Sequence, residues 1–204
     1  MKIAVIGATG MIGSRIVAEA AARGHEVTAA SRSGKPVEGV PAATALSADL
    51  ADGAAVAKMA AASDVVVLAA GPSRTGGDHG QWLAALETAL ANVGDARVVV
   101  VGGAGALLVN GSRLVDLPGF PDVYKPEAVT MAAAYDLVAA LPESVNWTMQ
   151  APAPEIGPGE RTGTYVTALD APAGDHISAE DFAVAVLDEI EKPRYVRARY
   201  GVAN

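Results

Sequence analysis

The sequence contains no cysteine. Disulfide staples, thiolate metal sites and a catalytic thiol are therefore excluded. Histidine is scarce: there are three, none four residues from another, so no histidine metal pair can be drawn. Positive charge is in deficit, with 15 Lys and Arg against 23 Asp and Glu, a formal net charge of −8. A nucleic-acid or anionic-membrane surface needs a basic patch, so neither partner is expected, although a local basic pocket for one phosphate is not excluded. No apolar run is long enough to span a bilayer; the longest, "VVVVGGAGALLV", is short and glycine-rich. Only Met1 and Lys2 precede the first apolar run, which leaves no room for a signal peptide, and a cytoplasmic location is expected.

The chain is 204 residues long, 51% hydrophobic and 19% charged, a globular composition. That length fits a single domain over 1–204. "KIAVIG" has the short, β-branched character of a buried parallel strand. From Met11 the pattern becomes helical, with Ile12, Ile16, Val17, Ala20 and Ala21 on one face and a stop at Arg23-Gly24. "HEVTAA" then reads as a second strand, which completes a βαβ unit. The alternation continues through "ATALSADL", "DGAAVAKMAAA", "DVVVLAAG", "GQWLAALETALANVG", "ARVVVVGG", "KPEAVTMAAAYDLVAAL" and "VNWTMQAP". Strands alternating with helices predict an α/β fold, a doubly wound, mostly parallel Rossmann sheet. Two regions break the rhythm. One is the glycine-rich loop "GPSRTGGDHG", from Gly71 to Gly80. The other is a helix-poor stretch, roughly 151–180, which predicts a small C-terminal lobe on the substrate side, with "RTGTYVTAL" as an edge strand. Ser178 followed by Asp181 predicts an N-cap for a final helix, "AEDFAVAVLDEIEK".

Three glycines in "GATGMIG" follow the first strand. Gly7 allows a sharp turn, Gly10 leaves room for a pyrophosphate, and Gly13 lets the helix pack closely. Free N–H groups in the first helical turn then face an anion, aided by the helix dipole. The strand-turn-helix context makes this a dinucleotide motif. NAD-binding folds carry an acid at the end of the second strand; Ser31 and Arg32 stand there, with Lys35 nearby. Arginine grips a 2′-phosphate with a bidentate fork. NADP(H) is the cofactor expected, with NAD(H) the alternative.

The chain here resembles the atypical short-chain dehydrogenases/reductases, whose signature GxxGxxG is written "GATGMIG". Within them it is most similar to the NAD(P)H-binding NADH-flavin reductase group, related to biliverdin/flavin reductases and NmrA-like proteins. "GATGMIGSRI", "ADL" after the third strand, "AAGP" after the fourth and "PGERTGTY" carry the resemblance. It implies that Thr9, Gly10, Met11 and Ile12 bond the pyrophosphate and that Asp49 and Leu50 border the adenine. It further implies that Ala69, Ala70 and Gly71 lie along the ribose, with Gly102 and Gly103 near the nicotinamide.

The family's proton relay is absent. A Tyr-x-x-x-Lys pair places both residues on one helical face, where the ammonium lowers the tyrosine pKa. Here Tyr124 is followed directly by Lys125, and its fourth successor is Ala128; Tyr135 has Ala139 in that place. Hydride transfer to a flavin or quinone needs no such relay, because the acceptor is already electrophilic and water can supply the proton. A small-molecule acceptor of that flat kind is the expected partner. His79, Tyr124 and Lys125 are the candidate catalytic residues. Trp82 either stacks on a flat ring or packs in the core, Tyr124-Lys125 either reaches the nicotinamide side or forms a surface turn, and Arg161 either holds an anionic acceptor group or is plain surface. A different class remains open: a non-catalytic NADP(H)-binding redox sensor of NmrA-like type. Pairing of two copies into a homodimer would use an exposed helix face.

Overall fold

A computed structural model describes residues 1–204. Its chain alternates strand and helix from the start: β1 (Lys2–Ile6), α1 (Met11–Ala22), β2 (Glu26–Ser31), β3 (Thr44–Ser47), α2 (Gly53–Ala61), β4 (Val65–Leu68), α3 (His79–Ala91) and β5 (Arg97–Val101). An irregular excursion follows, with a short hairpin of β6 (Leu108–Val109) and β7 (Ser112–Arg113) between two 3₁₀ turns. Then come α4 (Lys125–Ala139), β8 (Trp147–Pro152), β9 (Glu155–Gly157), β10 (Val166–Leu169), β11 (His176–Ser178), α5 (Ala179–Glu191) and β12 (Ala198–Ala203). The main sheet has eight strands in the order β10-β12-β8-β5-β4-β1-β2-β3, and every pairing is parallel except β10 with β12. This is the expected doubly wound α/β sheet.

Apolar strands with no polar face must be covered on both sides. One core joins β1, β2 and β12 to α1 and α5; the other joins β1, β4, β5 and β8 to α2, α3 and α4. The strand order reverses between β1 and β4, which opens a crevice at their carboxyl ends. The stretch 151–180 divides between two sheets. β9 and β11 form a small parallel pair of their own, whereas β10 adds the antiparallel edge of the main sheet.

Two features escape the sequence pattern. β12 lies inside the sheet between β10 and β8, although "ARYGVA" does not look like a buried strand. Arg199 is nevertheless only 3% exposed, because Asp170 pairs with it, and the Tyr200 hydroxyl donates to Gln150 Oε1. β6 and β7 form a ladder only with each other, and the Leu108 amide ties the hairpin to the Asp170 carbonyl at 2.9 Å.

Candidate cofactor and acceptor site

The crevice begins where β1 ends. Gly7 adopts φ +91°, a left-handed conformation that favours glycine, and a side chain there would press within 2.6 Å of the Ala70 nitrogen at the end of β4. A methyl at Gly13 would overlap the carbonyl oxygen of Gly7, so the helix can approach the turn only without a side chain there. The turn is pinned by Gly7 and Ala8 N–H groups donating to the Ala30 carbonyl, each at 3.0 Å. α1 then starts without the usual cap. α2, α3 and α5 take side-chain caps from Asp52, Asp78 and Ser178, and α4 has proline in its first turn. At α1, Gly10 offers no side chain, the first turn holds no acid, and the Met11, Ile12 and Gly13 amides donate to no protein group. Thr9 and Gly10 are exposed beside them. Unpaired amides and a positive dipole end, opening onto the switch point of the sheet, form an anion cradle, and a dinucleotide pyrophosphate fits it.

At the end of β2, Ser31 is buried and its hydroxyl lies 3.4 Å from that of Ser33. Arg32 is exposed, and its guanidinium has no partner; only its backbone carbonyl is used, by Ser47. A cleft of about 650 Å³ runs between α1 and the loop after β2, lined by Thr9, Ser14, Arg15, Ser33 and Lys35 among others. Lys35 thus joins the cleft as a free cation, while Arg15 is committed to Glu180 at 3.0 Å and to the Met11 carbonyl at 3.1 Å. Asp49 turns its carboxylate onto the Ala51 amide at 2.9 Å, and Leu50 is buried. Ala69 and Ala70 lie against Gly7, and Gly71 faces open space.

The other wall of the crevice is built on α3 and α4. Gly102, at the end of β5, packs on Met149, and Gly103 packs on Met131 of α4. Trp82 is half-buried, and its indole N–H donates to the Ala70 carbonyl at 3.1 Å, so the ring is fixed beside the end of β4. His79 has both ring nitrogens engaged, Nε2 with the Ser73 carbonyl at 2.8 Å and Nδ1 with the Thr130 hydroxyl at 2.7 Å. A carbonyl only accepts, so Nε2 carries a proton, and no nitrogen is left free for proton transfer. Tyr124 and Lys125 open α4; both are exposed and neither side chain has a partner. The Ala128 methyl, at the position a relay lysine would take, packs on Gly105 instead. Tyr135, farther along α4, sits edge-on to Trp147 with the Arg199 guanidinium over its ring.

Arg161 lies on the other face of the sheet. Its Nε and Nη2 grip Glu19 of α1 at 2.8 and 2.7 Å. Glu19 is held below the usual carboxylate range, first by Arg161 and then, against its burial, by Arg23. The structure therefore gathers His79, Trp82, Tyr124 and Lys125 on the α3–α4 side and leaves Arg161 out of that group. Glu19, Glu127 and Thr130, the partners that decide these orientations, carry no motif of their own; only helical spacing to a charged neighbour, as with Glu19 and Arg23, marks one of them.

A Rossmann sheet with a glycine turn and an uncapped α1 at its switch point defines a dinucleotide-binding protein. Residues 7–193 match the NAD(P)H-binding family, and the chain belongs to that family. Among the solved structures similar over nearly the whole length are the following three, whose names are provisional assignments. An exported protein of Burkholderia pseudomallei shares 44% identity with a TM-score of 0.87, covering 100% of both chains. An NADH-flavin reductase of Streptococcus pneumoniae shares 32% at 0.84, over 100% of this chain and 99% of its own. An epimerase of Bacteroides thetaiotaomicron shares 30% at 0.84, over 99% and 96%. No helix of the chain is long and apolar enough to cross a membrane.

Proposed function

We propose that the protein is an oxidoreductase that passes a hydride from NADPH, in preference to NADH, to a flavin, a quinone or a similar flat acceptor. One observation carries this reading. Beside the end of β5, where an acceptor would lie, Gly102, Gly103, Met131 and the buried Ala128 bring together no paired acid and base. Carbonyl reduction and epimerisation both need one. The NADH-flavin reductase similarity points to the same class.

When bound, the nicotinamide would supply a hydride, one proton carrying two electrons. The protein's part is binding and orientation. The Met11, Ile12 and Gly13 amides hold the pyrophosphate, Arg32 and Lys35 hold the 2′-phosphate, and Trp82 gives a flat acceptor a surface to lie on. An oxidised flavin or quinone spreads the added charge over its rings, and water delivers the proton that completes its reduction. Proximity and orientation then account for the acceleration.

The test is oxidation of NADPH and NADH with and without FMN, riboflavin and a small quinone. Saturable, acceptor-dependent oxidation with NADPH preferred is expected. Tight NADPH binding with no oxidation above the free-solution rate would overturn the reductase reading and move the protein to the redox-sensor class.

A further inference from the structure

The loop from Gly71 to Gly80 has four glycines and ought to be mobile, yet it is tied down at many points. Ser73 Oγ accepts from the Thr75 and Gly77 amides at 3.2 and 3.0 Å, which folds the tip upon itself. Asp78 caps α3. Two further ties leave the loop and reach across to α4. Arg74 makes a bidentate pair with Glu127, at 2.8 to 3.0 Å. His79 bridges the Ser73 carbonyl to Thr130, which is only 6% exposed; the Thr130 hydroxyl lies 2.9 Å from the Pro126 carbonyl as well, so its single proton is donated either to that carbonyl or to Nδ1.

The two ties differ in kind. The Arg74 side chain is 65% exposed, so its pair is screened by water and salt and can open. The His79–Thr130 contact is sheltered and geometrically narrow: a ring donating to a carbonyl on one side and bonded to a buried hydroxyl on the other. Glu127 and Thr130 lie one helical turn apart on the same face of α4, and the next residue, Met131, packs beneath Gly103. Trp82, three residues past His79, is fixed to Ala70. The loop, the ring of Trp82 and the start of α4 thus form a single wall beside the end of β5.

We propose that His79 is a positioning residue: bonded to Thr130, and assisted by the Arg74–Glu127 pair, it holds the Gly71–Gly80 loop as a fixed wall that sets how the acceptor lies in the crevice. This rests on the reductase reading for its consequence in turnover, but not for the fixing of the loop itself. The phosphate groups of the cofactor, which carry most of its affinity, would bind at α1 and the end of β2, away from this contact; only the ribose and nicotinamide side, at Gly71 and Gly103, adjoins it.

Thr130→Val keeps the shape of the side chain and removes the hydroxyl, whereas Thr130→Ser keeps the hydroxyl. Two readouts are compared in folded protein. Hydrogen exchange at the Thr75 and Gly77 amides tests the wall without any turnover; Thr130→Val is expected to speed it about tenfold or more, and Thr130→Ser to leave it near wild type. Steady-state oxidation of NADPH with FMN tests the consequence; Thr130→Val is expected to raise the FMN KM about five- to tenfold with the NADPH dissociation constant kept within about twofold. His79→Gln should match Thr130→Val, and the double variant should add little to either. Equal exchange in the Val and Ser variants would overturn the proposal, as would an FMN KM that does not follow the exchange rate. If no acceptor is reduced by the wild type, the reductase reading fails alone, and the exchange result still decides the loop.

Discussion

Arg32 and Gly13 show how much a single side chain, or its absence, decides. The Arg32 guanidinium is exposed, unpaired and set at the end of β2, where an acid would favour NADH. Arg32→Ala should weaken NADPH about 10- to 100-fold, the worth of a charge-assisted bond, and leave NADH within about twofold. Fluorescence titration with each cofactor checks this, and equal losses for both would contradict the assignment of NADP preference. Gly13→Ala has an unusual expected sign. Alanine is ordinarily about 1 kcal/mol better than glycine inside a helix. Here its methyl would collide with the Gly7 carbonyl and push α1 off the turn, so the variant should melt lower than wild type and bind neither NADPH nor NADH tightly. Thermal denaturation alongside cofactor titration separates the two effects.

Among the elements, the segment Gly159 to Tyr165 acts as a strap across α1 and α5. It contains no regular structure, and acidic side chains hold almost every part of it. Glu180 accepts from the Gly159 amide, Glu19 from Arg161, Asp181 from the Thr162 hydroxyl and the Gly163 amide, and Asp188 from the Tyr165 hydroxyl. Asp181 is fully buried. Burial alone would raise its pKa, but the Thr162, Gly163 and Asn204 donors outweigh this and leave it lowered. Asp181→Asn keeps the size but replaces a charged acceptor with a group that also donates, so about 3 kcal/mol should be lost in urea denaturation. The loss belongs to the strap and α5, so cofactor affinity in the folded protein should change far less than in Gly13→Ala. The Tyr165 hydroxyl, half-buried and bonded to Asp188, is pushed well above the ordinary tyrosine range, so it stays neutral and a hydrogen-bond donor.

For the molecule as a whole, these carboxylates set the response to acid. Glu19, Glu180 and Asp181 all titrate lower in the folded protein than in the unfolded chain. For Glu180, burial opposes the shift and is outweighed by the Gly159 amide and Arg15. An unfolded chain that holds its protons more tightly gains on the folded one as pH falls. The stability these groups contribute is therefore fully present above about pH 5 and is lost as pH drops through their lowered native values. Urea denaturation at pH 7, 5, 4 and 3 should show a plateau and then a fall. In Glu19→Gln the fall should be shallower and should start from a lower plateau; an unchanged slope would remove Glu19 from the account. The C-terminal strand matters at the same scale. β12 sits between β8 and β10, so a chain ending before Ala198 would expose the β8 edge and strand β10. Such a chain is expected to be insoluble or to lack a cooperative melting transition.

The sequence by itself determined the first βαβ unit, the glycine turn, the run of buried parallel strands and the ends of the helices. Each depends on residues within a few positions of one another: an apolar run, a helical period, a glycine where φ is positive, a Ser178 that caps its own helix. Only the tertiary structure decided β12 and the wall of the crevice between α3 and α4. Arg199 spoils the apolar pattern of "ARYGVA" and is buried only because Asp170, 29 residues earlier, neutralises it. His79 looks like a free proton carrier in the sequence, and it is the Thr130 hydroxyl, 51 residues on, that takes its second nitrogen. Arg161 looks available to an anionic ligand until Glu19, 142 residues away, claims it. Local pattern reports what a residue prefers in water and in its own element; whether a polar side chain is free or committed depends on the partner the fold delivers, and folding delivers it from a distance that no spacing along the chain records.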